Sequence, residues 1–231
     1  MRGVCGRIRT MGWGRCDLGT GTCVFAGPVG SPDAVGYVPV LSRVLEGVFV
    51  VGGYEPATMQ PTGEIWFSGV SDPVWGLVPT GGYQPVTVLA ATYSYRSRRL
   101  YVLDETAAAD VRLVAIDPIA GTTATLFTTP RDPAWSRHAL VVDRDGGLLL
   151  ASSRTSGKKE HAIARLAVDG DLVSVEGIER GNKALLLPPL VDAGGYTLVA
   201  RKSQGNGKGE RERKGILDLK PATLSDLTGQ L

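Results

Sequence analysis

An all-β fold built from repeated four-stranded sheets is what this sequence predicts, on three observations. Glycine and proline together, 31 and 14 of 231 residues, make up roughly one position in five, too many for long helices. Short apolar strands recur in the same setting at residues 48, 100, 148 and 196, spaced by 52, 48 and 48. Each is preceded by another apolar run and a tight-turn signal, the mark of a hairpin.

The second strands are Val48-Phe49-Val50-Val51, Leu100-Tyr101-Val102-Leu103, Leu148-Leu149-Leu150-Ala151 and Tyr196-Thr197-Leu198-Val199. The turn before the third is Asp143-Arg144-Asp145-Gly146-Gly147, and that before the fourth is Asp192-Ala193-Gly194-Gly195. Third strands follow at Glu64-Ile65-Trp66-Phe67, Val111-Arg112-Leu113-Val114, Ile163-Ala164-Arg165-Leu166 and Gly215-Ile216-Leu217-Asp218. Turns rich in Asp, Pro and Gly lead to fourth strands at Trp75-Gly76-Leu77-Val78, Ala124-Thr125-Leu126-Phe127, Leu172-Val173-Ser174-Val175 and around Leu224 and Leu227. A four-stranded antiparallel unit with two apolar faces must stack on neighbours to bury both, so the repeat predicts a β-propeller of about four blades. The expected blades span residues 36–81, 82–131, 132–181 and 182–231. A β-sandwich would use the same strands without a reason for the constant period.

The first unit resembles a kelch repeat. Val50-Val51-Gly52-Gly53 closes its second strand, and Trp66 and Trp75 follow. The resemblance implies that the glycines let neighbouring blades approach and that the tryptophans pack between them, as wedges whose truncation is costly. The other units carry Asp104-Glu105, Ser152-Ser153 and Arg201-Lys202 where the glycines would stand, and keep only the strand pattern. Kelch-like propellers usually close with six or seven blades. Four units therefore imply a compact ring, part of a larger propeller, or a half that pairs with another copy and self-associates through open edges.

Residues 1–35 differ in texture, being Gly-rich and holding all three cysteines, Cys5, Cys16 and Cys23. They read either as the remnant of a disulfide-rich module, favouring an extracytoplasmic or secreted setting, or as three unrelated thiols in a leader. No apolar run approaches the length of a membrane span.

Chemistry is sparse. The sequence holds no nucleophile elbow, zincin, phosphate-loop or dinucleotide motif, and it implies no cofactor or metal. The copper-radical oxidases that share the kelch architecture need two histidines, two tyrosines and a cysteine at the metal; here the cysteines all precede the blades. His138, at the start of the third unit's first strand, is expected to line the central channel, as a structural group or as an acid/base. His161, beside Lys158, Lys159 and Glu160, is expected on a solvent-facing loop. Asp143 and Asp145 read as turn chemistry rather than a calcium site.

Antiparallel blades send the connection from strand two to strand three out at the same end as the link to the next blade. These connections run through residues 54–62, an acidic 104–110 loop, a basic 154–161 segment and 201–214. Variable loops on a regular scaffold make a binding surface. The candidate ligand contacts are Tyr54, Tyr83, Asp104, Glu105, Trp135, Arg201 and Lys202. The 201–214 stretch carries six basic and two acidic residues but no aromatic, unlike a nucleic-acid surface. Arg96, Arg98 and Arg99 fall at the opposite end. The function expected is a non-catalytic binding module for a protein or glycan, with no nucleic-acid partner. The alternative is a propeller-scaffold lyase or hydrolase acting near His138.

Overall fold

A computed structural model describes residues 34, 36–42, 44–69, 71, 74–143, 145–154, 157, 160–181 and 219–231, together with the backbone of five further short strands. Its framework is three four-stranded antiparallel sheets. The first comprises β4 (Val38–Ser42), β5 (Gly47–Val51), β6 (Ile65–Gly69) and β7 (Trp75–Leu77). The second comprises β8 (Thr87–Ser94), β9 (Arg99–Glu105), β10 (Asp110–Asp117) and β11 (Thr122–Pro130). The third comprises β12 (Trp135–Val142), β13 (Leu148–Arg154), β14 (Glu160–Asp169) and β15 (Leu172–Gly181). In each sheet consecutive strands are neighbours, so every connection within a sheet is a hairpin.

Alternation decides which face each strand gives to which neighbour. Leu100, Val102, Val114 and Ile116 of the second sheet pack with Phe49, Val51 and Ile65 of the first. Tyr101, Leu103, Leu113 and Ala115, on the other face, pack with Leu140, Leu148, Leu150 and Leu166 of the third. The second sheet is thereby covered on both sides. The first strands of the sheets lie together, β8 touching both β4 and β12. Val48, Val50, Leu149, Ala151 and Ile163 belong to neither shared core but are also buried, whereas Leu41, Leu77 and Leu172 on the same outer faces of the first and third sheets are exposed.

The 1–35 region, expected to lack regular alternation, contains a three-stranded antiparallel sheet, β1 (Arg2–Gly6), β2 (Trp13–Asp17) and β3 (Thr22–Ala26). Of the expected fourth unit, β16 (Val191–Asp192) and β17 (Gly195–Tyr196) form a short hairpin, while the third strand at 215–218 lies outside the described residues. The strand expected around Leu224 and Leu227 is instead a 3-10 helix, Leu224–Leu227. Its entry is held by Asp226, whose Oδ2 accepts the Thr223 N–H at 2.8 Å and the Thr223 hydroxyl at 2.9 Å. These bonds favour a turn over an extended backbone. Before the helix, Lys220 pairs with Ile178 of β15; Leu227 at its end and Leu231 beyond it enter the core between the second and third sheets. Among the described residues no helix is long and apolar enough to cross a membrane.

Candidate functional site

The pairing registers place the start of the first strand, the end of the second and the start of the third at one end of each sheet, as Thr87, Glu105 and Val111 show in the second. At that loop-bearing end, Gly52, Asp104 and Ser152 occupy corresponding positions, each just after or at the close of its second strand. Gly52 has φ +64, and a Cβ there would sit 2.5 Å from Val88 Cγ2 on the next sheet. Only glycine permits both this backbone and this approach.

In the second sheet the corresponding residue is Asp104, which is 0% exposed. Arg112 grips it with two bonds, Nε to Oδ1 at 2.8 Å and Nη2 to Oδ2 at 2.9 Å. The same guanidinium donates to the Gln84 carbonyl at 3.1 Å and lies over the Tyr83 ring, 4.8 Å from its centroid. Burial, followed by the negative charge of Asp104, pushes the Tyr83 phenol well above its ordinary pKa, so it stays neutral. The hydrogen bond to Asp104 raises the Arg112 pKa, with desolvation opposing. The expected acidic 104–110 loop is therefore corrected. Asp104 and Glu105 end β9, Asp110 begins β10, and Glu105 is paired with Arg131. Tyr83, Asp104 and Glu105 tie the link between the first two sheets and the start of the third to the second sheet.

In the third sheet Ser152 stands opposite His138. The Trp135 carbonyl, 3.0 Å from Nε2, can only accept, so Nε2 carries the proton and Nδ1 accepts the Ser152 hydroxyl at 3.1 Å. Burial pushes the His138 pKa down to about 4, against the Trp135 carbonyl bond, which favours the charged form. A serine hydroxyl on an imidazole nitrogen is the start of nucleophilic chemistry. Here Ser152 is 2% exposed and the imidazole is backed by a carbonyl rather than a carboxylate, an arrangement that closes a strand pair.

Beside this pair opens a cleft of about 340 Å³. Trp135, at the start of β12, and Arg154, at the end of β13, form one side, with Glu160 and His161 at the start of β14. Arg180 and Gly181 at the end of β15 form another, and Gly229 and Gln230 of the C-terminal segment complete the wall. Arg180 Nη2 donates to the Asp226 carbonyl at 3.2 Å, anchoring that segment. Arg154 Nη1 lies 4.0 Å from Glu160 Oε2. Two buried polar atoms of lining residues, Arg154 Nε and Gln230 Oε1, have no hydrogen-bond partner among the described residues. His161, expected on a solvent-facing loop, is instead a half-buried residue of β14. It is paired with Gly181 across the strands, and a Cβ on Gly181 would lie 2.7 Å from its Nε2.

Of the expected contacts, Trp135 alone lines this cleft. Tyr54 is half-buried at the same end of the first sheet, its hydroxyl 3.1 Å from Thr87 Oγ1. Arg201 and Lys202 lie outside the described residues. Arg154 and His161 stood at the ends of a segment notable in the sequence only for its charge. Arg180, Gly181 and Gln230 carried no local signal, because strand pairing and the returning C-terminal segment bring them there. Among the described residues no group of His, Cys, Asp and Glu side chains is placed to hold a metal ion. At the opposite end Arg96 Nη1 donates to the Asp145 carbonyl at 3.0 Å and Arg99 Nη1 to Asp171 at 2.6 Å, both joining the second sheet to the third.

No protein-family model and no curated protein matches this chain. A solved structure described as "Structure of YjhT" is similar with 11% sequence identity and a TM-score of 0.49, covering 71% of this chain and 51% of that one. The chain thus spans about half the length of that neighbour.

Proposed function

We propose that the three sheets are blades of a kelch-like propeller and that the chain is a non-catalytic binding module, recognising a protein or glycan through the loop-bearing end. The radial arrangement is supported by β8 lying between β4 and β12 and by the packing of both faces of the second sheet against its neighbours. The binding reading rests on one observation: the cleft at that end is walled by residues of all four strands of the third sheet and of the C-terminal segment. Concave sites with a few converging polar groups are the usual form of a ligand site. An exported module of this kind agrees with cysteines confined to residues 1–35.

Catalysis at His138 is the weaker reading, because Ser152 is shielded and, among the described residues, the bonds to His138 come from the Ser152 hydroxyl and the Trp135 carbonyl. The test is binding of the purified chain to a panel of immobilised oligosaccharides and to a displayed random-peptide library. Hits should be weakened by Arg180→Ala in the cleft and retained by Arg96→Ala at the opposite end. Hits indifferent to Arg180→Ala and lost with Arg96→Ala would move the recognition surface to the other end.

A further inference from the structure

We infer that the cleft of the third sheet is a receptor for an oxyanion that carries a neighbouring hydroxyl, as in an acidic saccharide unit. This inference rests on the binding reading of the loop-bearing end and names the ligand class for it. Two guanidinium groups, Arg154 and Arg180, and one carboxylate, Glu160, line about 340 Å³, so the lining carries an excess positive charge. The Arg154–Glu160 contact, at 4.0 Å, is too long for a close charge-assisted hydrogen bond and leaves donor capacity on the guanidinium.

The two unsatisfied atoms define the complement. Among the described residues, Arg154 Nε–H is a buried donor without an acceptor, and Gln230 Oε1 is a buried acceptor without a donor. Buried polar atoms left unpaired are costly, and one ligand supplying both an anionic oxygen and a hydroxyl would relieve both. A neutral sugar lacks the strong acceptor that Arg154 calls for, and inorganic sulfate lacks a donor for Gln230. Gly181 is part of the fit: strand pairing sets His161 against it, and any side chain at 181 would displace the imidazole from its seat at the cleft.

The experiment is titration of the purified chain with glucuronate, glucose 6-sulfate and glucose 6-phosphate, beside glucose, inorganic sulfate and a tetraglutamate peptide, reading the His161 imidazole signals by NMR. At least one charged sugar should shift His161 and bind about tenfold or more tightly than glucose or sulfate. Arg154→Gln and Arg180→Gln should each cost about tenfold, Arg96→Gln should cost nothing, and added salt should weaken binding. Arg180→Gln, at an exposed side chain, keeps the test valid if Arg154→Gln melts early. Which acid binds separates carboxylate, sulfate and phosphate sources. Equal binding of glucose and the charged sugars, or charged-sugar binding that survives both cleft variants, overturns the inference. So does tetraglutamate binding with the same arginine dependence and no sugar binding, although a peptide-binding module would then stand. Silence from every probe, with oligosaccharide or peptide hits still dependent on Arg180, overturns the ligand class alone. Hits independent of Arg180 overturn the binding reading beneath it.

Discussion

Gly52, Asp104 and Ser152 show one structural position solved three ways. Glycine lets Val88 come close, a buried carboxylate is neutralised by Arg112, and a serine hydroxyl is absorbed by His138. The second solution has the largest stake. Asp104→Ala leaves Arg112 without its counter-charge, and we expect a loss of about 3 kcal/mol by denaturant unfolding, at the low end for a buried pair because Arg112 keeps some solvent. Replacing Arg112 by Met in the same chain should recover much of that loss, because no uncompensated charge then remains. His138 sets a pH dependence. Its pKa is about 4 when folded and 6.5 when unfolded, so between these values the unfolded chain binds more protons. Stability should be complete above about pH 6.5 and fall by roughly 2–3 kcal/mol as pH drops toward 4. His138→Gln should flatten that slope, as measured by unfolding midpoints at a series of pH values; an unchanged slope would assign it to other groups. The sequence marked all three positions as departures from, or matches to, a glycine motif. What replaced the glycine function was not legible, because Arg112 and His138 approach from other strands.

The strands themselves were the most legible elements, since period-two alternation and Asp, Pro and Gly turns are local properties. The two tryptophans of the first sheet share a face, Trp75 standing opposite Ser68, two residues along β6 from Trp66, yet they differ in depth. On the face opposite Phe49 and Ile65, Trp75 is buried, whereas Trp66 is half-buried with its indole N–H bonded to Glu64 at 2.9 Å. The expectation that both are equal wedges between sheets is thereby revised. Trp75→Ala should cost about 3–5 kcal/mol and Trp66→Ala distinctly less, in paired thermal melts. Equal losses would place Trp66 in a packed interface. The C-terminal segment was read as a strand from its leucines, but Asp226 holds Thr223 in a turn, and Leu224 remains exposed while Leu227 is buried. Hydrophobicity alone could not separate these two leucines, because what buries Leu227 is the space between two sheets formed nearly a hundred residues earlier.

For the whole molecule, the burial of Val48, Val50, Leu149 and Ile163 bears on the question of self-association raised by an incomplete ring. Because central residues of the outer faces are already buried, less apolar surface is left for a second copy, Leu41, Leu77 and Leu172 being the exposed leucines there. We expect a monomer near 24.4 kDa by size-exclusion light scattering, with a radius of gyration of about 17 Å from the scaling for compact chains of this length. A concentration-dependent dimer would show that an edge or face remains open.

Sequence by itself determined the all-β class, the recurring four-stranded unit and the places where the chain turns, because each is encoded in residues adjacent or two apart. Tertiary structure alone decided which side chains meet. Arg112 on Asp104, His161 against Gly181, and Gln230 in one cleft with Arg154 are encounters across strands or across the returning C-terminal segment. Their charges and unpaired atoms acquire meaning only once register and packing have fixed the distances between them.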